Sequence, residues 1–319
     1  MVQTIVFLLF GLALVTLASD WLVDGSSAVA RRAGMSEFVI GMTIVGIGTS
    51  MPELVSSMFS AIEGRGDLAI GNITGSNICN VLLILGVSGV LSPLAYSRNN
   101  IRVDVPICIA VTALVSLMIY RWNPFGQPTG MSRIDGIILL LGFILFMTYS
   151  IRNGKKEGAP AESGDSKEMK LWKAIVLCIL GIGGLVVGGK LFVDNTVALA
   201  QALGVSDGFI AVTLMALGTS VPELATCVVA VLKKKNDLAL GNIIGSNISN
   251  ILLILGTCAT ITPLKVSSLT SVDMGIFMLS PVVLITAAWF FRRRVLDRAD
   301  ASLYLLLYAG YVYWLVINI

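Results

Sequence analysis

The sequence predicts an all-α polytopic membrane protein with ten transmembrane helices in two five-helix repeats of inverted topology. Three observations carry that prediction. Of 319 residues, 56% are hydrophobic and only 13% charged, at a mean hydropathy of +0.88. An average soluble domain is about 25% charged. The apolar residues gather in runs near the roughly 20 residues that a membrane-spanning helix needs. The chain also repeats itself at an offset of 170 residues, and self-similarity at a fixed period signals internal duplication.

The repetition is densest where Gly48-Thr49-Ser50-Met51-Pro52-Glu53 recurs as Gly218-Thr219-Ser220-Val221-Pro222-Glu223. A second pair follows, Gly71-Asn72-Ile73-Thr74-Gly75-Ser76-Asn77-Ile78-Cys79-Asn80 against Gly241-Asn242-Ile243-Ile244-Gly245-Ser246-Asn247-Ile248-Ser249-Asn250. Residues 41–94 align with 211–264 without a gap, and 25 of the 54 pairs are identical. The same offset pairs Gly11 with Gly181 and Asp24 with Asp194. The expected organisation is a first repeat at 1–151, a polar linker at 152–170 and a second repeat at 171–319.

The apolar runs place helices at 3–23, 35–61, 67–91, 102–120, 132–151, 171–193, 205–232, 237–261, 270–291 and 301–318. The first run lacks a basic leader and a small-residue cleavage site, and is expected to be a retained span and not a signal peptide. The Gly, Pro, Ser, Lys and Glu of 152–170 read as a connector. If the spans alternate in direction, one side collects 17 of the 22 Lys and Arg residues and the other 5. The positive-inside rule makes the richer side cytoplasmic, with the linker inside and both termini outside. Five helices per repeat is odd, so the second repeat enters from the opposite side. Inverted repeats are typical of secondary transporters, whose sites lie near the midplane between repeats.

Composition removes several classes of chemistry. There is no histidine, and the five cysteines all fall in apolar runs without paired spacing. That excludes the usual zinc and copper sites, a His proton relay and a disulfide frame. A net charge of +3, with its basic residues between spans, points to orientation and not to nucleic acid.

Glu53 and Glu223 stand inside apolar runs, where a carboxylate costs roughly 2.5–3.5 kcal/mol and marks a partner, cavity or ion path. Thr49, Ser50, Glu53 and Ser57 share one helical stripe, as do Thr219, Ser220 and Glu223. Pro52 and Pro222 lack an N–H, which predicts a kink and a freed carbonyl beside each carboxylate. Asn72, Ser76 and Asn80 line one face of the third helix, and Asn242, Ser246 and Asn250 line the eighth. Carboxylate, hydroxyl, amide and carbonyl oxygens form the ligand set of a hard cation: six to eight oxygens suit Ca²⁺, and Na⁺ accepts the same chemistry.

Structural readings stand beside these. A membrane glutamate can be protonated and serve only the fold. Asn72, Asn77, Asn242 and Asn247 suit interhelical hydrogen bonds better than ion ligation. Asp67 and Asp237 are expected to N-cap their helices, and Lys233-Lys234-Lys235 to anchor topology. Gly181, Gly183, Gly184, Gly188 and Gly189 fit either tight packing or sliding of the sixth helix.

These paired motifs resemble the alpha-repeats of the cation/Ca²⁺ antiporter superfamily, the group of the Na⁺/Ca²⁺ exchangers, and especially its prokaryotic members. The resemblance covers nearly the whole chain. It implies a transporter and not an enzyme, without a cofactor, in the cell membrane, with Na⁺ and Ca²⁺ as transported ions and lipid as surroundings. It implies ion ligation by Thr49, Ser50, Glu53, Ser76 and Asn80 with Thr219, Ser220, Glu223, Ser246 and Asn250. The carbonyls of Gly46 and Ala216 are added by the same likeness, as is an exchange of three Na⁺ for one Ca²⁺. Some K⁺-dependent relatives carry aspartate where Asn250 stands, and proton-coupled members favour an acid in the Gly-Asn helix, where this chain has Ser76 and Ser246. An H⁺/Ca²⁺ or other divalent-cation antiporter on the same fold remains the alternative; a channel and an intramembrane protease fit less well, the latter because it wants paired aspartates or a His. Neither nucleic acid nor a protein partner is expected.

Overall fold

The structure, a computed structural model, describes residues 2–121, 129–157, 169–203, 218–266, 269–289 and 294–317. Its helices in chain order are α1 (Val2–Ala33), α2 (Glu37–Thr49), α3 (Met51–Ile62), α4 (Gly66–Leu91), α5 (Asn100–Ile119) and α6 (Arg133–Glu157). After the linker come α7 (Leu171–Ala202), α8 (Val221–Leu232), α9 (Asn236–Ile261), α10 (Ser271–Trp289) and α11 (Arg298–Ile317). Among the described residues seven helices are long and apolar enough to cross a membrane, and the bent pair α2–α3 makes an eighth. The predicted span 205–232 falls partly outside the described residues, which resume at Gly218 ahead of α8.

Polarity decides which helices are central. α4 and α9 carry the Asn, Ser and Gly residues, and 78% and 94% of their spanning windows are buried. The corresponding share is 28% in α1 and in α7, and 17% in α11. Lipid offers a polar side chain no hydrogen bond, so the polar helices sit inside and the apolar ones face outward. α2 crosses α9 at Gly241 and Gly245, where a methyl group would overlap the main chain of Phe38 and Met42. Only glycine lets the two backbones come this close. α1 packs lengthwise on α7; a Cβ at Gly188 would lie 3.0 Å from Val15 N, so Gly188 serves close packing, whereas a Cβ at Gly183 would meet nothing within 4 Å.

α1 and α7 run about ten residues past the ends that their apolar runs predicted, and polar pairing explains why. Beyond the predicted end of α1, the Ser26 hydroxyl donates to Leu22 O at 2.6 Å, while Asp24 meets Lys233. In α7, Lys190 and Asp194 pair one turn apart at 3.2 Å, and Asn195 and Thr196 donate to carbonyls four residues back. Polar residues satisfied this way do not end a helix.

The kink predicted at Pro52 is present. α2 and α3 meet at 46° around Ser50, at φ −82° and ψ 10°. Pro52 then occupies the first turn of α3, where no N–H is needed. Ser220, at φ −88° and ψ 4°, precedes α8 and Pro222 in the same way. The expectation that Asp67 and Asp237 are N-caps is corrected: Arg65 and Lys235 hold those positions, and the aspartates lie within the first turn. There a negative charge still complements the helix dipole.

Four two-residue strands link the periphery. β1 (Leu94–Ala95) pairs antiparallel with β4 (Val295–Leu296), and β2 (Gly130–Met131) with β3 (Leu264–Lys265). β1 and β3 lie 170 residues apart, and each takes its partner from across the linker.

Candidate functional site

Glu53 and Glu223 are 1% and 0% exposed at the start of α3 and α8. Each directly follows the break that its proline imposes, so a non-helical turn and a carboxylate arrive together. Ser50, at the first break, donates to Glu223 Oε1 at 3.0 Å. Hydroxyls of Thr219 and Ser76 stand beside Glu53, which itself lies within range of the Glu223 charge. Both oxygens of Glu53 and Oε2 of Glu223 nevertheless lack a hydrogen-bond partner.

The other predicted residues converge on the same place. Thr49 donates to Asn242 Oδ1 at 3.2 Å, and Thr219 to Asn72 Oδ1 at 3.4 Å. Ser76 and Thr219 share a hydroxyl contact of 3.4 Å. Asn80 and Asn250 are buried, each with Nδ2 engaged and Oδ1 unpartnered, and Ser220 Oγ is likewise buried and unpartnered. Ser246 donates to the Gly46 carbonyl at 3.1 Å, which also receives the Ser50 N–H at 3.3 Å. The Thr49 hydroxyl lies 3.5 Å from the same oxygen, so the Gly46 carbonyl ties α9 to the break after α2. Ala216 lies outside the described residues.

Asn72, Asn77, Asn242 and Asn247 make the interhelical hydrogen bonds expected of them. Of their partners, Ser57 already stood on the stripe of Glu53 in the sequence, while Cys227 escaped the sequence reading. Asn72 Nδ2 donates to Ser57 Oγ at 3.0 Å, and Asn242 Nδ2 to Cys227 Sγ at 3.3 Å. Ser57 and Cys227 are 170 apart, so the offset that paired the glutamates would have led from Ser57 to Cys227. The charged rim also escaped it: Lys233 pairs with Asp20 at 2.6 Å and Asp24 at 2.7 Å, and Lys235 with Glu37 at 2.8 Å.

Six buried oxygens without hydrogen-bond partners, on Glu53, Glu223, Asn80, Asn250 and Ser220, represent a deficit of positive charge and donors. Buried polar atoms are nearly always satisfied. An isolated carboxylate in low dielectric is costly in the extreme. A cation answers both deficits together. Among the described residues no three His, Cys, Asp or Glu side chains cluster as a metal site, so a bound cation would rely on hydroxyls and amides beside the two carboxylates. That suits a transported ion, which must leave as well as enter.

The chain matches the family described as Sodium/calcium exchanger protein over residues 3–152 and 173–317. It is 34% identical to the sodium/calcium exchanger MaX1 of Methanosarcina acetivorans over 87% of both chains. With the inner membrane protein YrbG of Escherichia coli K12 it shares 33% identity over 97% of this chain and 94% of that one. A solved structure of the sodium-calcium exchanger NCX_Mj superimposes at a TM-score of 0.83 with 32% identity, covering 98% of each chain. Motifs, fold and buried carboxylates agree, and the chain belongs to the sodium/calcium exchanger protein family.

Proposed function

We propose that this protein is a Na⁺/Ca²⁺ antiporter working by alternating access, with Thr49, Ser50, Glu53, Ser76, Asn80, Thr219, Ser220, Glu223, Ser246 and Asn250 around the ions. The observation that carries the reading is the pair Glu53 and Glu223, fully buried with three of four carboxylate oxygens unpartnered. Names of relatives add weight, since MaX1 and NCX_Mj are both described as sodium-calcium exchangers. Reciprocal contacts between residues 170 apart support two inverted repeats, 1–151 and 171–319, and hence ten spans with a linker at 152–170. The basic asymmetry between loops supports a cytoplasmic linker with the termini outside, in the cell membrane.

Ionised, the glutamates carry two negative charges, which one Ca²⁺ neutralises. More than two Na⁺ leaves a net positive charge, so such an exchange moves charge at about 2.3 kcal/mol per 100 mV. The empty site resists crossing because its bare carboxylates would face hydrocarbon. That penalty couples the two ions. α1 and α7 pack on each other and are largely exposed elsewhere, which supports their moving as a pair against the α4–α9 centre.

The test is radioactive Ca²⁺ uptake into proteoliposomes loaded with Na⁺. Uptake should require the outward Na⁺ gradient and respond to membrane potential. Uptake driven instead by a pH gradient, without Na⁺, would transfer the protein to the proton-coupled class.

A further inference from the structure

Asn80 and Asn250 are ambiguous as cation ligands. A carboxamide has nearly the same shape either way round, yet one end is an acceptor oxygen and the other carries two N–H donors that repel a cation. Something must hold the oxygen toward the ion.

Asn77, Asn80, Asn247 and Asn250 are all at most 2% exposed and joined in one hydrogen-bonded network. Asn77 Nδ2 donates to the Asn247 carbonyl at 3.1 Å, and Asn247 Nδ2 to the Asn77 carbonyl at 3.5 Å. A backbone carbonyl only accepts, so both amides are fixed nitrogen-first. Their oxygens are thereby turned to the remaining neighbours. Asn77 Oδ1 receives Asn250 Nδ2 at 2.9 Å, and Asn247 Oδ1 receives Asn80 Nδ2 at 3.0 Å. These oxygens accept only from a donor, which commits the nitrogen ends of Asn80 and Asn250. What is left over is Asn80 Oδ1 and Asn250 Oδ1, both buried without a partner.

We infer that Asn77 and Asn247 are positioning residues: referenced to two backbone carbonyls, they orient Asn250 and Asn80 so that each presents oxygen to the transported cation. This rests on the cation-exchange reading of the site. The orientation is exchanged between repeats, because Asn77 on α4 sets Asn250 on α9 and Asn247 on α9 sets Asn80 on α4. Wide π-helical turns at Cys79–Ile84 and Asn250–Leu255 hold Asn80 and Asn250. Such turns free backbone geometry at functional sites.

The test compares Asn77→Leu in two backgrounds, the native chain and Asn250→Asp, by Na⁺-driven Ca²⁺ uptake in proteoliposomes. Aspartate has oxygen at both ends and needs no orientation; beside Asn77 Oδ1 it also sets acceptor against acceptor, which N77L relieves. In the native background N77L should raise the KM for Ca²⁺ about 10–100-fold, as loss of a ligand-orienting partner does, with the maximal rate changed far less. In the N250D background the same substitution should leave KM unchanged or lower it. An equal rise in both backgrounds, or none in the native one, overturns the positioning role while leaving the exchange reading intact. Native protein that shows no Na⁺-driven uptake overturns the exchange reading, and the positioning role with it. If N77L does not yield folded protein, the mirror pair Asn247→Leu with and without Asn80→Asp reads the same outcomes.

Discussion

Ser50 Oγ donates to Glu223 Oε1 at 3.0 Å, bridging residues 173 apart in sequence. A hydroxyl of the first half therefore steadies a carboxylate of the second, and under the proposed function ion binding and contact between the halves are coupled. Hydrogen bonds to charged groups contribute about 1.5–3 kcal/mol. Ser50→Ala should weaken Ca²⁺ binding by about tenfold or more, by the conversion of about 1.4 kcal/mol per decade. Isothermal titration of purified protein measures it; unaltered affinity would separate Ser50 from the site.

Glu53→Gln and Glu223→Gln, made separately, should each abolish Ca²⁺-dependent uptake. Each leaves a single negative charge against a divalent ion in low dielectric, where the lost attraction is large. Retained Ca²⁺ binding in both variants contradicts a shared site. A glutamine in either place should also raise thermal stability without ions, because a buried charge at 0–1% exposure has been removed.

Lys233 stands between Asp20 and Asp24 at the rim. Burial alone would lower its pKa, but hydrogen bonds to the two aspartates outweigh that and hold it above the ordinary lysine value of 10.5. A raised folded-state value gives stability that is complete below the ordinary value and lost only as pH climbs through the folded one. Lys233→Gln should therefore cost about 1 kcal/mol or less, as partly exposed pairs do. The gap from the native protein should stay level across neutral and mildly alkaline pH. Melting curves at several pH values in detergent check this, and high salt should narrow the gap.

Gly245→Ala would drive a methyl into the Met42 backbone. The α2–α9 crossing has no flexible side chain there to yield, so overpacking beyond the usual 1–3 kcal/mol is expected. Gly310→Ala, with nothing near its Cβ, should be neutral by the same melting assay. Equal behaviour of the two variants would refute close approach as the reason for glycine at 245.

Much of the site was legible in the sequence because ligand chemistry belongs to residue types and the duplication shows them twice. Thr49, Ser50, Glu53, Ser76 and Asn80, with their counterparts 170 residues on, could be named without coordinates. Gly46 was named too, and its carbonyl receives hydrogen bonds from Ser246 and from the Ser50 N–H. The lengths of α1 and α7 were misjudged because a charge at the edge of an apolar run reads as an end: Asp24 finds Lys233 only across the fold, whereas the four-residue spacing of Lys190 and Asp194 was a local signal that the run boundary hid.

The amino-acid sequence by itself determined that this chain is a membrane protein, that it is duplicated, that its helices break ahead of Pro52 and Pro222, and which oxygens could meet a cation. Those properties follow from hydropathy, from the missing N–H of proline and from residue chemistry, all local. The tertiary structure alone decided that Ser50 serves Glu223, that Asn77 and Asn247 grip each other's backbones, and that Lys233 reaches Asp20 and Asp24. Those partners lie 170 to 213 residues apart, and only the crossing of helices brings them within hydrogen-bond distance.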